Sequence, residues 1–149
     1  MSDALRERAL RLLARRDHTR MELSRKLAAA ADCPARLVAL LDALEASGLL
    51  SDERYAAARV NARGARVGDA RLAYELRSRG VAGELVAAVL AAGDDELTRA
   101  RRVWQRKFGR QPAGLDDPVQ RGRQVRFLAG RGFSDETIRR VLRGDLEDD

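Results

Sequence analysis

The chain is 149 residues long and carries 29 Lys+Arg against 23 Asp+Glu, a net charge of +6, which allows one domain or a short string of sub-units. Charged residues make up 35% and aromatics 4%, and Ala and Leu dominate the apolar fraction, so helix formers abound and strand formers are scarce. No run approaches the roughly 18 apolar residues of a membrane helix and the N-terminus is charged and amphipathic, so neither a membrane span nor a secretory signal is expected and the protein is placed in the cytoplasm.

Leu5, Ala9, Leu12 and Leu13 recur at helical spacing, so residues 3–16 read as an amphipathic helix. Asp17 and His18 break it. Thr19 with Glu22 three residues later is a capping box, opening a second helix that carries Leu23, Leu27 and Ala30 on one face. Asp32-Cys33-Pro34 supplies a cap-like residue and an early proline for a third helix. Its stripe is Leu37, Leu40, Leu41 and Leu44, and Gly48 stops it. Ser51-Asp52-Glu53 caps a fourth helix with acids in its first turn, and Tyr55, Ala58 and Ala62 carry it to about Gly64. A turn from Gly64 to Gly68 leads into a fifth, with Leu72, Ala73 and Leu76, ended by Gly80. Leu85, Val86, Val89 and Leu90 form a sixth, ended by Gly93. Asp94-Asp95-Glu96 opens a seventh, with Leu97, Ala100, Trp104 and Phe108 on its stripe. Residues 109–117 form the longest loop-like stretch. Pro118 starts an eighth helix with Val119, Gly122, Val125 and Leu128, which Gly132 ends. Ser134-Asp135-Glu136 caps a ninth, with Ile138, Val141 and Leu142.

These helices group in threes. Leu76, Gly80, Val81, Leu85, Val86, Val89 and Leu90 superpose without gaps on Leu128, Gly132, Phe133, Thr137, Ile138, Val141 and Leu142. The first group fits with one extra residue in its turn. The expected fold is all-α: three tandem three-helix repeats over residues 3–50, 51–93 and 94–143, followed by an acidic tail at 144–149. Each repeat alone would bury only a thin core, so neighbours should stack into an elongated, curved rod.

Chemistry is hard to find. His18 reads as a turn residue, and Cys33, the single cysteine, excludes an internal disulfide or a Cys-cluster metal site. The acids at 94–96 read as a helix start favoured by the macrodipole rather than a metal cluster. Neither a Gly-Lys-Ser/Thr phosphate loop nor a Gly-x-Ser-x-Gly elbow occurs. The expectation is a binding protein with no enzymatic activity, no cofactor and no metal.

Positive charge concentrates late: residues 94–143 hold 13 basic and 7 acidic side chains. Arg59 and Arg63 share a face at i and i+4, which Arg66 extends only if the helix passes Gly64. Arg99, Arg102 and Arg106 share a face of the seventh helix, Arg121, Arg123 and Arg126 spread over the eighth, and Arg139, Arg140 and Arg143 lie on the ninth. Any one of these is an ordinary solvated arginine. Together they suggest a surface that meets an anion, either nucleic-acid phosphate or an acidic protein groove. Tyr55, Trp104 and Phe108 fall on apolar stripes and favour the core, while Tyr74 and Phe127 are less clearly placed.

Four segments resemble the RecX family of RecA regulators: Thr19-Arg-Met-Glu-Leu-Ser-Arg-Lys-Leu27, Gly48-Leu-Leu-Ser-Asp-Glu-Arg-Tyr-Ala56, Tyr74-Glu-Leu-Arg-Ser-Arg-Gly-Val81, and Arg126-Phe-Leu-Ala-Gly-Arg-Gly-Phe-Ser134 with Ile138 and Val141-Leu142. The resemblance spans roughly residues 5–143. It implies tandem three-helix repeats and a monomer that binds RecA filaments on DNA, lies along their helical groove and inhibits filament growth, ATP hydrolysis and strand exchange. Weak, non-specific contact with single- and double-stranded DNA is expected alongside. The competing expectation is a stand-alone helical DNA-binding or architectural protein, since three-helix units can place a helix in the major groove.

Overall fold

The computed structural model describes residues 2–109 and 117–144. Most of the 109–117 loop and nearly all of the acidic tail therefore lie outside the described residues. Among those described, the structure is helical throughout: α1 (Ser2–Arg15), α2 (Arg20–Leu27), α3 (Pro34–Ala46), α4 (Asp52–Arg63), α5 (Asp69–Ser78), α6 (Gly83–Ala92), α7 (Glu96–Phe108), α8 (Pro118–Gly130) and α9 (Asp135–Arg143), with a 3-10 turn at Ala28–Ala30. None of these helices is long and apolar enough to cross a membrane.

The helix starts follow from side chains that accept the orphan amides of the first turn. Thr19 and Glu22 form the reciprocal box at α2. Ser51 accepts from the Arg54 amide, Asp95 from Thr98, Asp117 from Val119 and Ser134 from Thr137. Asp32 does not cap α3: Cys33 holds the cap position without a side-chain bond, and Asp32 instead pairs with Arg36 at 2.7 Å. The apolar stripes close three separate cores. Leu5, Ala9, Leu23, Leu27, Leu37, Leu41, Leu44 and Leu50 make the first. Tyr55 through Val86 supply the second and Leu97 through Leu142 the third. Helices α1–α3, α4–α6 and α7–α9 thus form three triplets, each around its own thin core.

Consecutive triplets are joined by one device used twice. An acid in the first turn of the next triplet accepts the backbone amide that starts the middle helix of the preceding one: Asp52 takes Arg20 N–H at 2.8 Å, and Glu96 takes Asp69 N–H at 2.7 Å. The cap residue of that middle helix also rests on the glycine turn that ends the next middle helix. Thr19 Oγ1 donates to the Arg79 carbonyl at 2.6 Å, and Gly68 N–H donates to the Arg131 carbonyl at 2.7 Å. The middle helices α2, α5 and α8 therefore meet end to end. Gly80 and Gly132, at φ +89° and +87°, supply the left-handed residues at these turns.

The two joints differ in what fills them. At the second, Arg99 is buried to 6% exposure on α7 and reaches across into the α4–α5 turn. It donates to the carbonyls of Val67 at 2.7 Å, Gly64 at 3.2 Å and Asp94 at 3.3 Å, and it pairs with Asp69. At the first, Glu22 gathers Arg16 at 3.1 Å and Arg79 at 2.7 Å. Burial by itself would push the Glu22 carboxyl up, but these guanidinium groups and the Thr19 amide outweigh it and hold it at about 2. A carboxylate depressed in the folded state stabilises fully above its unfolded value, and that stabilisation is lost as pH falls through the folded value. The urea midpoint should therefore fall between pH about 4.5 and 2. Glu22→Gln should flatten that fall; an equally steep acid limb in the variant would exclude Glu22 as its source.

His18, expected to be a simple turn residue, is instead 2% exposed beside this first joint. Its Nδ1 lies 3.0 Å from the Arg16 carbonyl and its Nε2 2.9 Å from Lys26 Nζ. A donating Nδ1–H and an accepting Nε2 satisfy both contacts with a neutral ring. Burial lowers its pKa against the hydrogen bond to the Arg16 carbonyl, with the charges of Arg16 and Lys26 adding to the lowering.

Candidate functional site

The arginines singled out from the sequence divide sharply in the structure. Arg63 is not a free cation: its guanidinium grips Glu75 in a fork at 3.1 and 2.6 Å, tying α4 to α5. Helix α4 ends at Arg63, so Arg66 does not extend its face but lies exposed in the following turn. The expected face of Arg59, Arg63 and Arg66 is therefore not a cationic surface, and half-buried Arg59 is left alone on it. Arg99 is likewise corrected from surface anion-binder to buried brace. A helical wheel shows only that it shares a side with Arg102 and Arg106; it does not show that this side faces a turn full of unsatisfied carbonyls. Arg121, Arg123, Arg126, Arg139 and Arg143 are exposed and Arg140 is half-buried.

A basic groove does form, along the seam between the α4–α5 turn and α7. One part, a cleft of about 720 Å³, is lined by Arg101, Arg102 and Arg106 with Asn61 and Gln105, and holds one acid, Asp94. Asp94 pairs with Arg102 at 2.7 Å, but both side chains are more than half exposed and the pair is weak in water. The groove continues, through Ala65 and Arg106, into a second cleft of about 430 Å³ lined by Arg66, Arg106, Lys107, Arg131, Val103 and Phe127. Among the described residues, no acid lines this second part. Arg106 is braced by the Ala65 carbonyl and Arg131 by the Arg66 carbonyl at 3.4 Å.

Phe127 explains how these charges are held. Lys107 Nζ stands 5.6 Å and the Arg131 guanidinium 4.9 Å from its ring centroid, both over the ring. The ring makes a T-shaped pair with Phe108, at 89° and with centroids 5.3 Å apart. Phe127 is therefore a seat for two cations rather than a bare stacking platform. Pre-oriented cations in an acid-free cleft suit phosphodiester oxygens and read no base sequence. Of this set, sequence reasoning reaches Arg66, Arg102 and Arg106 and misses Arg101, Lys107 and Arg131. The i, i+4 spacing of Phe127 and Arg131 on the chain is the one signal that could have found the seat.

Comparison with known proteins now decides the family. A family model described as the second three-helix domain of RecX matches residues 51–90, and one described as the third three-helix domain of RecX matches residues 94–142. The chain is 46% identical over 146 residues to the regulatory protein RecX of Chromobacterium violaceum, covering 98% of this chain and 93% of that one. It is 48% identical over 141 residues to that of Leptothrix cholodnii, covering 94% and 88%. The chain belongs to the RecX family. The crystal structure of RecX from Lactobacillus salivarius superposes with a TM-score of 0.83 over 96% of this chain and 95% of that one. At 17% identity, that likeness concerns the fold: the RecX arrangement of helical triplets persists where few side chains do. The basic groove is thus set on a RecX scaffold.

Proposed function

We propose that this RecX-family protein binds RecA recombinase filaments on DNA and modulates them, mainly by inhibiting filament extension, ATP hydrolysis and strand exchange. The reading takes the chain as three consecutive units, residues 3–50, 51–93 and 94–143, with the acidic stretch 144–149 behind them, acting as a monomer in the cytoplasm without catalysis. The observation that carries it is the basic groove, whose second part sets Arg66, Arg106, Lys107 and Arg131 together with no acid among the described residues, on a chain 46% identical to a regulatory protein RecX over nearly its full length. Binding proteins need such a charged, pre-oriented surface. A nuclease would need convergent carboxylates around a metal, and the described residues contain no group of three or more His, Cys, Asp or Glu able to hold one.

The test is a titration into the DNA-dependent ATPase reaction of the cognate recombinase. Inhibition at stoichiometric amounts, with shortened filaments, supports the reading; unchanged hydrolysis and filament length overturn it. Salt-tolerant binding to one DNA sequence, without effect on the recombinase, would establish the stand-alone DNA-binding alternative. The groove itself predicts weak, sequence-independent DNA binding by the chain alone. Arg106→Glu with Lys107→Glu should reduce it for every sequence alike. The same pair should lower the slope of log affinity against log salt by about 2, one for each phosphate that is no longer neutralised. An unchanged slope removes the groove from the interface.

A further inference from the structure

The two joints share their backbone bonds but carry opposite charges at matching positions. Leu27 matches Leu76 in the cores and Thr19 matches Gly68 at the helix starts, so Asp17 corresponds to Arg66 and Glu22 to Arg71. Arg79 and Arg131, each ending its helix one residue before a left-handed glycine, correspond in turn. At the first joint the chain's own carboxylates meet the cations. Glu22 bonds Arg16 and, from the next triplet, Arg79, while Asp17 bonds Arg54 on α4 at 3.2 Å.

At the second joint both of these acids are arginines. Arg71 donates to the Gly130 carbonyl at 2.8 Å, and Arg131 leans back on the Arg66 carbonyl. Among the described residues, Arg66, Arg71 and Arg131 make no ion pair. The acids of this joint are engaged elsewhere. Asp69 pairs with Arg99, and Glu96 accepts from the Asp69 and Ser134 amides and from the Ser134 and Thr137 hydroxyls. Arg66 on the second triplet therefore faces Arg106, Lys107 and Arg131 on the third across one cleft, with only neutral carbonyls between them. Like charges on the two walls favour parting. An anion that touches both walls is bound more tightly when they are together, so it shifts the joint toward its closed form. Guanidinium forks match phosphate oxygens, and several cations side by side suit several phosphates in a row.

We infer that the second joint is a ligand-dependent clasp: a run of adjacent phosphates, bound between Arg66 on one triplet and Arg106, Lys107 and Arg131 on the next, takes the part that Glu22 plays at the first joint and holds the second one shut. The inference rests on the reading of the groove as a phosphate site and adds what binding there does to the chain. A nucleic-acid strand and a free oligophosphate both offer such a run.

The test is hydrogen exchange of single backbone amides, followed by NMR on the full chain. Gly68 and Asp69 report the second joint, since they donate to the Arg131 carbonyl and to Glu96; Arg20, which donates to Asp52, reports the first. Exchange is measured without ligand, with a single-stranded oligonucleotide and with inorganic tripolyphosphate. At about ten times its dissociation constant, found by a separate titration, a ligand bound only by the closed joint lowers the open population about tenfold. Gly68 and Asp69 should therefore slow about tenfold, and Arg20 by less than about twofold. A response to the oligonucleotide alone names a strand as the ligand; one to tripolyphosphate alone names a free oligophosphate; one to both names the phosphate chain itself. Arg71→Glu, which restores the charge of the first joint, should slow Gly68 and Asp69 without ligand and blunt the response to it. Ligand that binds yet leaves both amides unchanged, or slows all three alike, overturns the clasp while the groove stays a phosphate site. An Arg71→Glu chain that exchanges as the unaltered chain does, with and without ligand, overturns it as well. Failure of both ligands to bind removes the phosphate reading and the clasp together.

Discussion

Gly132→Ala should destabilise the protein by about 3 kcal/mol, whereas Gly48→Ala should cost only about 1 kcal/mol. Both glycines end a helix in the left-handed region, at φ +87° and +80°. An alanine at either carries the conformational penalty of that region, about 1 kcal/mol. The surroundings separate them. A methyl at Gly48 would meet nothing within 4 Å, while one at Gly132 would sit 2.5 Å from Arg71 Cβ and 3.0 Å from the Arg71 amide nitrogen across the second joint. The backbone of α5 cannot yield without pulling Gly68 off Arg131, so overpacking of roughly 2 kcal/mol adds to the conformational term. Urea midpoints of the two variants, at unchanged m, give the comparison directly. Equal losses at the two positions would mean that the joint opens freely and that the close approach contributes nothing.

Arg99→Met should cost about 3 kcal/mol, and Arg99→Lys should recover little of it. The guanidinium satisfies two buried carbonyls, a part-buried one and a carboxylate from one planar head. Methionine fills the volume but leaves those acceptors unpaired. An ammonium group is a single point and cannot reach both Val67 and Asp94. Asp69→Asn should by contrast lose under about 1 kcal/mol. Burial raises the Asp69 pKa against the pull of Arg99, with Glu96 adding to the rise, so its charge adds little net stability at 42% side-chain exposure. Asp69→Asn losing as much as Arg99→Met would show that the ion pair, not the carbonyl cage, holds the joint.

Much of this architecture is legible in the sequence, because it rests on local rules. The capping box at Thr19, the serines at 51 and 134 and the proline at 118 mark helix starts through chemistry within four residues. The gap-free match of Leu76–Leu90 with Leu128–Leu142 reports the repeat. What the sequence withholds is the use of each arginine. Arg99 and Arg102 look alike on a helical wheel, yet one is buried under three carbonyls and the other stands in solvent. That difference depends on the neighbouring triplet, not on the helix. Arg63 misleads for the same reason, since Glu75 lies on another helix at a separation of 12 residues. His18 reads as a turn residue because the turn is real; its burial comes from packing around the turn that no local pattern records. The groove is half visible, as Arg66, Arg102 and Arg106: the face read on α7 leaves out Arg101 and Lys107, and Arg131 joins them only through the packing of α8.

The joints also fix an order of completion while the chain is being made. The amides that open α2 and α5 find their acceptors downstream: Arg20 waits for Asp52, Gly68 for Arg131, and Asp69 for Glu96. On a ribosome, which delivers the N-terminus first, each of the first two triplets emerges with the start of its middle helix still bonded to water, and it is finished only by its successor. Arg99, the brace of the second joint, likewise emerges 30 residues after its partner Asp69. Release of the third triplet is thus the step that locks the second, and a chain stopped before residue 96 would hold an α5 whose first amides have no protein acceptor at this joint.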